Sequence, residues 1–496
     1  MRVPVVHHIW AFDEPNPQYI RAQCIHCRYT TFLPAGTPQE ECLRWLEEKI
    51  AAKCRSAKGD DQNTMQEIVI NVPEAESPMP DTAPFLEDDS PAEEQADPPP
   101  DEIRPTVADL RRPPSGNGQA KNRKIFLVGY PGDVGGACTE VWHTLLLWKA
   151  FGLEVRVIPT WRAEPAWRMQ VDALGYQTYE TDPDHLHLVP GLEGAIVVSF
   201  CNSAFLENVA RFRKLGCRIV WANCMTWMFG KEKQHYQEHG TFEAYMFQSE
   251  FQRSMLEPEL AKFGYEPSQG HTIRGAFDFR QWPFAPRRHP PRSPFVVGRV
   301  ARPDPDKWSS NTWPIYERIQ YPRKRALMMG IDDKVRKKLG PEPAWADCLK
   351  PGALNTVDFF RQLHCLLPVN GGARENWPRA GLEAMACGVP IVAQKAWGWL
   401  EMIEHGVTGF LGECDEELAH YAAMLAWDED LRLTIARQAR KRLVDVLANP
   451  AVIWSGWKKL FLTLDGKPPQ SAEDGSLVDT HPGTPGLFEA HVGADP

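Results

Sequence analysis

At 496 residues the chain exceeds the roughly 250–300 residues at which a single hydrophobic core stops growing, so more than one domain is expected. Hydrophobic residues make up 43% and charged residues 24%, an ordinary globular composition, and no run of about 18 apolar residues marks a spanning helix. The formal net charge of −10 belongs to one window: residues 74–103 hold eleven acidic side chains, seven of the 44 prolines and no Lys or Arg. The rest is close to neutral, which gives no global preference for acidic or basic partners. The twelve cysteines are too thinly spread for a disulfide scaffold, and MRVPVVHHIW lacks the pattern of a secretory leader. A cytoplasmic location is expected, with contact at a membrane surface left open.

In chain order, residues 1–58 read as a small module with Trp10, Phe12, Tyr19, Phe32, Leu43, Trp45 and Leu46 available for a core. The Cys24-x2-Cys27 pair is half of a tetrahedral zinc site, and His7 or His8, or else Cys42, is available to complete it; Cys54 lies further on. A structural zinc in residues 1–58 is one reading, and a small α/β knob with free thiols the other. Residues 59–121, rich in Pro, Asp, Glu, Ser and Gly, are expected to form a disordered linker, as is the tail over 465–496.

From 122 the chain alternates short apolar runs with amphipathic stretches. KIFLVGY (124–130), EVRVIP (154–159), AIVVSF (195–200), RIVWAN (218–223) and YMFQS (245–249) are predicted strands, buried on both faces. The spacing implies a parallel, doubly wound sheet. The rhythm stops at FRQWPFAPRRHPPRSP (279–294), with five prolines, and restarts with PFVVGR (294–299), RALMMG (325–330), CLLPV (365–369) and PIVAQ (390–394). Two α/β units, 122–290 and 291–452, are expected, with a cleft beyond the carboxyl ends of their strands. A last helix over 453–464 should cross back to the first unit.

Three loops carry chemistry. After CLLPV come Gly371-Gly372 and Glu375-Asn376-Trp377-Pro378, and a helix begins near Pro378. Free N–H groups at such a helix start suit a diphosphate. Glu375 before the helix and Glu383 inside it stand among small or apolar neighbours, which suits acceptors for sugar hydroxyls. After PFVVGR, the bases Arg299, Arg302 and Lys307 follow a buried strand. In the first unit, Gly129 to Ala137 includes Gly135-Gly136 between a strand and a helix, without the G-x-G-x-x-G order of a dinucleotide site. Asn223 ends a strand and so falls at the cleft.

The stretch Glu375 to Pro390, with two glutamates eight apart and GLEAMACGVPIVA following, resembles the signature of the retaining glycosyltransferases called group 1 or family 4, of GT-B fold. The likeness extends more loosely over 122–464. It implies an α/β protein with two facing Rossmann-like domains that moves a hexose from a nucleotide-diphosphate sugar without a catalytic metal. By that resemblance Arg299 and Lys307, with Arg302 as an alternative base, carry the leaving diphosphate. Glu375 holds the donor sugar and Glu383 the ribose; Gly135, Gly136, Gly372 and Asn376 complete the donor site, and Asn223 faces the acceptor side. Ala396-Trp397-Gly398-Trp399 departs from the paired glycines of many relatives. The acceptor (glycan, lipid, protein or small molecule) is not identified, and nucleic acid is not the expected partner. A non-catalytic glycan- or nucleic-acid-binding protein and a sugar-nucleotide epimerase on the same fold are the alternatives.

Overall fold

The structure, a computed structural model, describes residues 125–129, 136–290 and 292–465, and the backbone of three short segments near the amino terminus. Those segments are β1 (Trp10–Asn16), β2 (Tyr19–Cys24) and β3 (Thr30–Pro34), paired antiparallel in the order β1-β2-β3. His7, His8, Cys27, Cys42 and Cys54 lie outside the described residues, as does the side chain of Cys24. The expected linker over 59–121, the loop Tyr130–Gly135 and the tail beyond Asp465 are outside them too.

The first lobe of the main body is a seven-stranded parallel sheet. Its strands are β4 (Ile125–Val128), β5 (Val155–Ile158), β6 (Gln177–Thr178), β7 (Ile196–Phe200), β8 (Arg218–Ala222), β9 (Ala244–Phe247) and β10 (Gly270–Thr272), ordered β10-β9-β8-β7-β4-β5-β6. Strand order reverses beside β4, which makes the carboxyl end of β4 the topological switch point where doubly wound sheets bind ligands. β4 and β7 are buried throughout and β8 from Ile219 onward, as their largely apolar sequences require. β6 and β10, two and three residues long, sit at the edges and carry no apolar run.

The second lobe contains β11 (Phe295–Val300), β12 (Lys324–Met329), β13 (Ala346–Leu349) and β14 (Cys365–Leu366) in the parallel order β13-β12-β11-β14. β15 (Val392–Gln394) pairs with β16 (Phe410–Gly412). A bridge from Leu366 to Ile391, with Leu366 N–H donating to Pro390 O at 2.9 Å, joins the two sheets. The strand expected over 365–369 ends at Leu366, since Pro368 has no N–H to continue the ladder. A single helical turn, Trp399–Met402, leads to β16.

Each lobe has its own apolar core: Trp148, Val198, Val220 and Met246 lie in the first, and Leu382, Met385, Ile391 and Trp399 in the second. Among the described residues, no helix is long and apolar enough to cross a membrane.

Candidate active site

The second lobe gathers the expected bases and carboxylates at the carboxyl ends of β11 and β14. Arg299, on β11, is 1% exposed, with its guanidinium 4.8 Å from the indole centroid of Trp308. One of its terminal nitrogens donates to Asn370 Oδ1 at 2.9 Å and also to the carbonyl of Lys307. Its Nε and the other terminal nitrogen have no hydrogen-bond partner among the described residues. Burial pulls its pKa down to about 10, so it remains a cation at neutral pH, with donors unused in a dry setting.

Lys307 closes the 3₁₀ turn Pro305–Lys307, capped by Asp304, and its Nζ lies 2.9 Å from Glu375 Oε2. Asn370 Nδ2 donates to Glu375 Oε1 at 3.3 Å. Arg299, Asn370, Glu375 and Lys307 thus form one continuous polar cluster, although 76 positions separate its ends in sequence. Lys338 reaches the same turn, donating to Pro305 O at 2.7 Å.

Two glycines permit the loops to stack this closely. A Cβ on Gly371 would lie 2.0 Å from Trp308 O, and one on Gly398 would lie 1.6 Å from Asn376 O. Any other residue at either position would drive the base-bearing loop, or the Trp397 loop, away from Glu375. The stacking is locked by backbone bonds: Gly371 and Ala373 donate to Asp306 O, and Gly398 donates to Glu375 O at 2.9 Å.

Pro378 caps the helix Arg379–Cys387, which Gly388 ends in a left-handed conformation. Glu383 lies on it, 8% exposed, with no hydrogen bond to another described residue. Burial pushes its carboxyl up to about 7, with Arg379 opposing. Gly372 and Arg302 are exposed beside the cluster. Gly136 begins the helix Gly136–Ala150, and Gly135 lies outside the described residues.

Two further expected site residues have their side chains engaged outside this cluster. Asn223 Oδ1 accepts from Met225 N at 2.8 Å, while its Nδ2 donates to Trp227 O at 2.9 Å and to buried Glu232 at 3.0 Å. It pins the loop 223–229 at the carboxyl end of β8. Asn376 turns away from Glu375 and crosses to the first lobe: its Oδ1 accepts from Ser249 Oγ at 2.5 Å, and its Nδ2 donates to Gln248 Oε1 at 2.9 Å and Cys224 O at 3.2 Å. The partners follow β8 and β9, so the carboxyl ends of both sheets meet at one cleft. Sequence reasoning missed Asn370, Lys338, Glu140 and Arg379, whose partners are remote in the chain. Among the described residues, no group of three or more His, Cys, Asp or Glu is placed to hold a metal ion.

Comparison with known proteins agrees with this architecture. HepE of Anabaena in complex with UDP-glucose superposes with a TM-score of 0.51 at 18% identity, covering 69% of this chain and all of that one. A glycosyltransferase of Rickettsia africae superposes with a TM-score of 0.53 at 13% identity, over 70% of this chain and all of that one. In sequence, an 82-residue stretch is 33% identical to N-acetyl-alpha-D-glucosaminyl L-malate synthase of Bacillus anthracis, covering 16% of this chain and 22% of that enzyme. Residues 357–442, which include Glu375 and Glu383, match the family described as Glycosyl transferases group 1. The main body therefore has the GT-B fold, and its second lobe carries a stretch that matches the group 1 glycosyltransferase family.

Proposed function

We propose that the protein is a retaining hexosyltransferase of family 4 type that takes its sugar from a nucleotide-diphosphate donor and needs no catalytic metal. The observation that carries the reading is the cluster of buried Arg299 and Asn370 with half-buried Lys307 and Glu375, beside the helix of Glu383 at the cleft between two parallel sheets. Arg299 and Lys307 bind the diphosphate and stabilise the charge that grows on it as the glycosidic bond breaks, an effect that is largest in a dry, preorganised site. Glu375 accepts from the donor sugar's hydroxyls near the reacting carbon, and Glu383 from the ribose. Arg302, Gly372, Gly135 and Gly136 border the donor, and Asn223 serves the acceptor side by fixing the loop 223–229. The two lobes act as acceptor and donor domains, with boundaries near 122–290 and 291–452. A UDP-sugar is the first donor to test, because HepE is described in complex with UDP-glucose. The cytoplasmic location belongs to this reading as well.

The test is thermal-shift screening against UDP-, GDP- and ADP-sugars, since a ligand bound only to the folded form raises the melting temperature. Product analysis by mass, with and without added acceptor, follows. Lys307→Ala and Glu375→Ala are each expected to lower turnover by about 10²–10³ with folding intact, the loss usual for removing a group that stabilises transition-state charge. Unchanged rates, or an epimerised donor as the product, would count against the proposal.

A further inference from the structure

We infer that Arg379 is a positioning residue: its ion pair with Glu140 ties the helix that carries Glu383, and the loop that carries Glu375, to the first lobe. The inference rests on the donor-site reading of those two glutamates.

Arg379 is the first residue of its helix, and its Nη1 donates to Glu140 Oε2 at 3.0 Å and to Ala276 O at 2.5 Å. Glu140, on the helix Gly136–Ala150, also accepts from Ala276 N at 2.8 Å and from Thr144 Oγ1 at 3.3 Å. The two side chains are 9% and 1% exposed. The guanidinium also lies 5.2 Å from the ring centroid of Phe277. A Cβ on Gly275 would stand 2.3 Å from Glu140 Oε2, so the segment between the lobes leaves room for the carboxylate only by having no side chain there. Losing one partner of such a pair strands a buried charge, which costs more than the intact pair contributes. The lobes are therefore coupled through this point.

Two neighbouring contacts cross in the same direction. Asn376, next to Glu375, bonds Ser249, Gln248 and Cys224. Glu401 accepts from the N–H groups of Glu250 at 3.1 Å and Phe251 at 2.8 Å, capping the first-lobe helix Glu250–Ala261 from the second lobe. Separation of the lobes thus pulls on the segments that flank Glu375 and Glu383. Arg379 also bears on Glu383: the two lie one turn apart on the same helix, and the guanidinium opposes the burial that raises this carboxyl. Cys387, one turn on, is the titratable neighbour on the same helix, and across the cleft Glu140 and His143 face Arg379.

The experiment uses the full chain, with Arg379→Met, Arg379→Lys and Glu140→Gln compared with wild type. Hydrogen exchange at Glu250 and Phe251 reports lobe contact without requiring activity, because a second-lobe carboxylate protects those amides. Arg379→Met and Glu140→Gln are expected to speed exchange there by about tenfold or more, with β8 unchanged, as local opening without global unfolding requires. Arg379→Lys, which keeps the charge and is the variant least prone to misfold, should fall between wild type and the two pair-breaking variants. Calorimetric titration with UDP over a pH series is the second measurement. The binding midpoint due to Glu383 should move to higher pH in Arg379→Met and stay near wild type in Arg379→Lys. Unchanged exchange in both pair-breaking variants, or identical pH midpoints for the Met and Lys variants, overturns the inference. If the wild type fails to bind UDP, the donor reading falls and the exchange data still decide the role of the ion pair.

Discussion

Glu383 combines a buried position with an ionisable group, and the conflict should be visible as a pH dependence of stability. Burial pushes its carboxyl up to about 7 from the usual 4.5. Between those values the folded protein retains a proton that the unfolded chain has released. The contribution to stability is therefore complete below the unfolded value and is lost as pH rises through 7. At 1.36 kcal/mol per pKa unit the loss is about 3 kcal/mol at most. Glu383→Gln stays neutral throughout, so it should match wild type near about pH 5 and exceed it in stability near about pH 8. Thermal unfolding at the two pH values checks this, and a stability difference independent of pH would show that Glu383 does not titrate as described. The same variant should bind UDP more weakly, which separates a residue kept for a ligand from one kept for the fold.

Among the loops, the segment 396–399 offers a comparable test of strain. Trp397 has φ +57°, in the left-handed region that costs a non-glycine residue roughly 1–2 kcal/mol, and it lies beside Gly398, whose N–H bonds Glu375 O. Trp397→Gly and Trp397→Ala both remove the indole, so their difference isolates the backbone. The Gly variant should be the more stable by about 1 kcal/mol, measured by denaturant midpoints. Equal midpoints would mean that the loop relaxes out of this conformation. The same elements show what the sequence makes legible. Ile125–Val128, Ile196–Phe200 and Phe295–Val300 are buried on both faces, so their apolar runs identify them directly. Gln177–Thr178 and Ala346–Leu349 are short edge strands without full burial, and nothing in their residue types distinguishes them from loop. Lys307 and Glu375 stand out because charges follow apolar strands. Arg379 does not, because its meaning lies in Glu140, 239 positions away in the chain.

At the scale of the molecule, the first lobe is completed by residues that follow the second. The helix Pro450–Leu464 packs Trp457 edge-on to Trp148 at 5.1 Å, and places Ile453, Leu460, Phe461 and Leu464 in the core beneath β4 and β7. Arg218, at the start of β8, donates to Leu464 O at 2.7 Å, which pins the end of the helix. The first lobe is thus discontinuous in sequence: its core cannot close until the chain has passed through the second lobe and returned. Stability of the two lobes is therefore linked through the chain path as well as through the cleft. Trp457→Ala is expected to cost about 3–5 kcal/mol, the usual loss for a buried aromatic. Because Trp457 touches Trp148 and Phe200, the deficit should appear as faster hydrogen exchange in β4 and β7, far upstream of the substitution. Exchange confined to residues 450–464 would mean that the helix frays by itself and that the first lobe stands without it. Loss of protection across β4, β7 and β8 together would show that the terminal helix is a structural member of the first lobe.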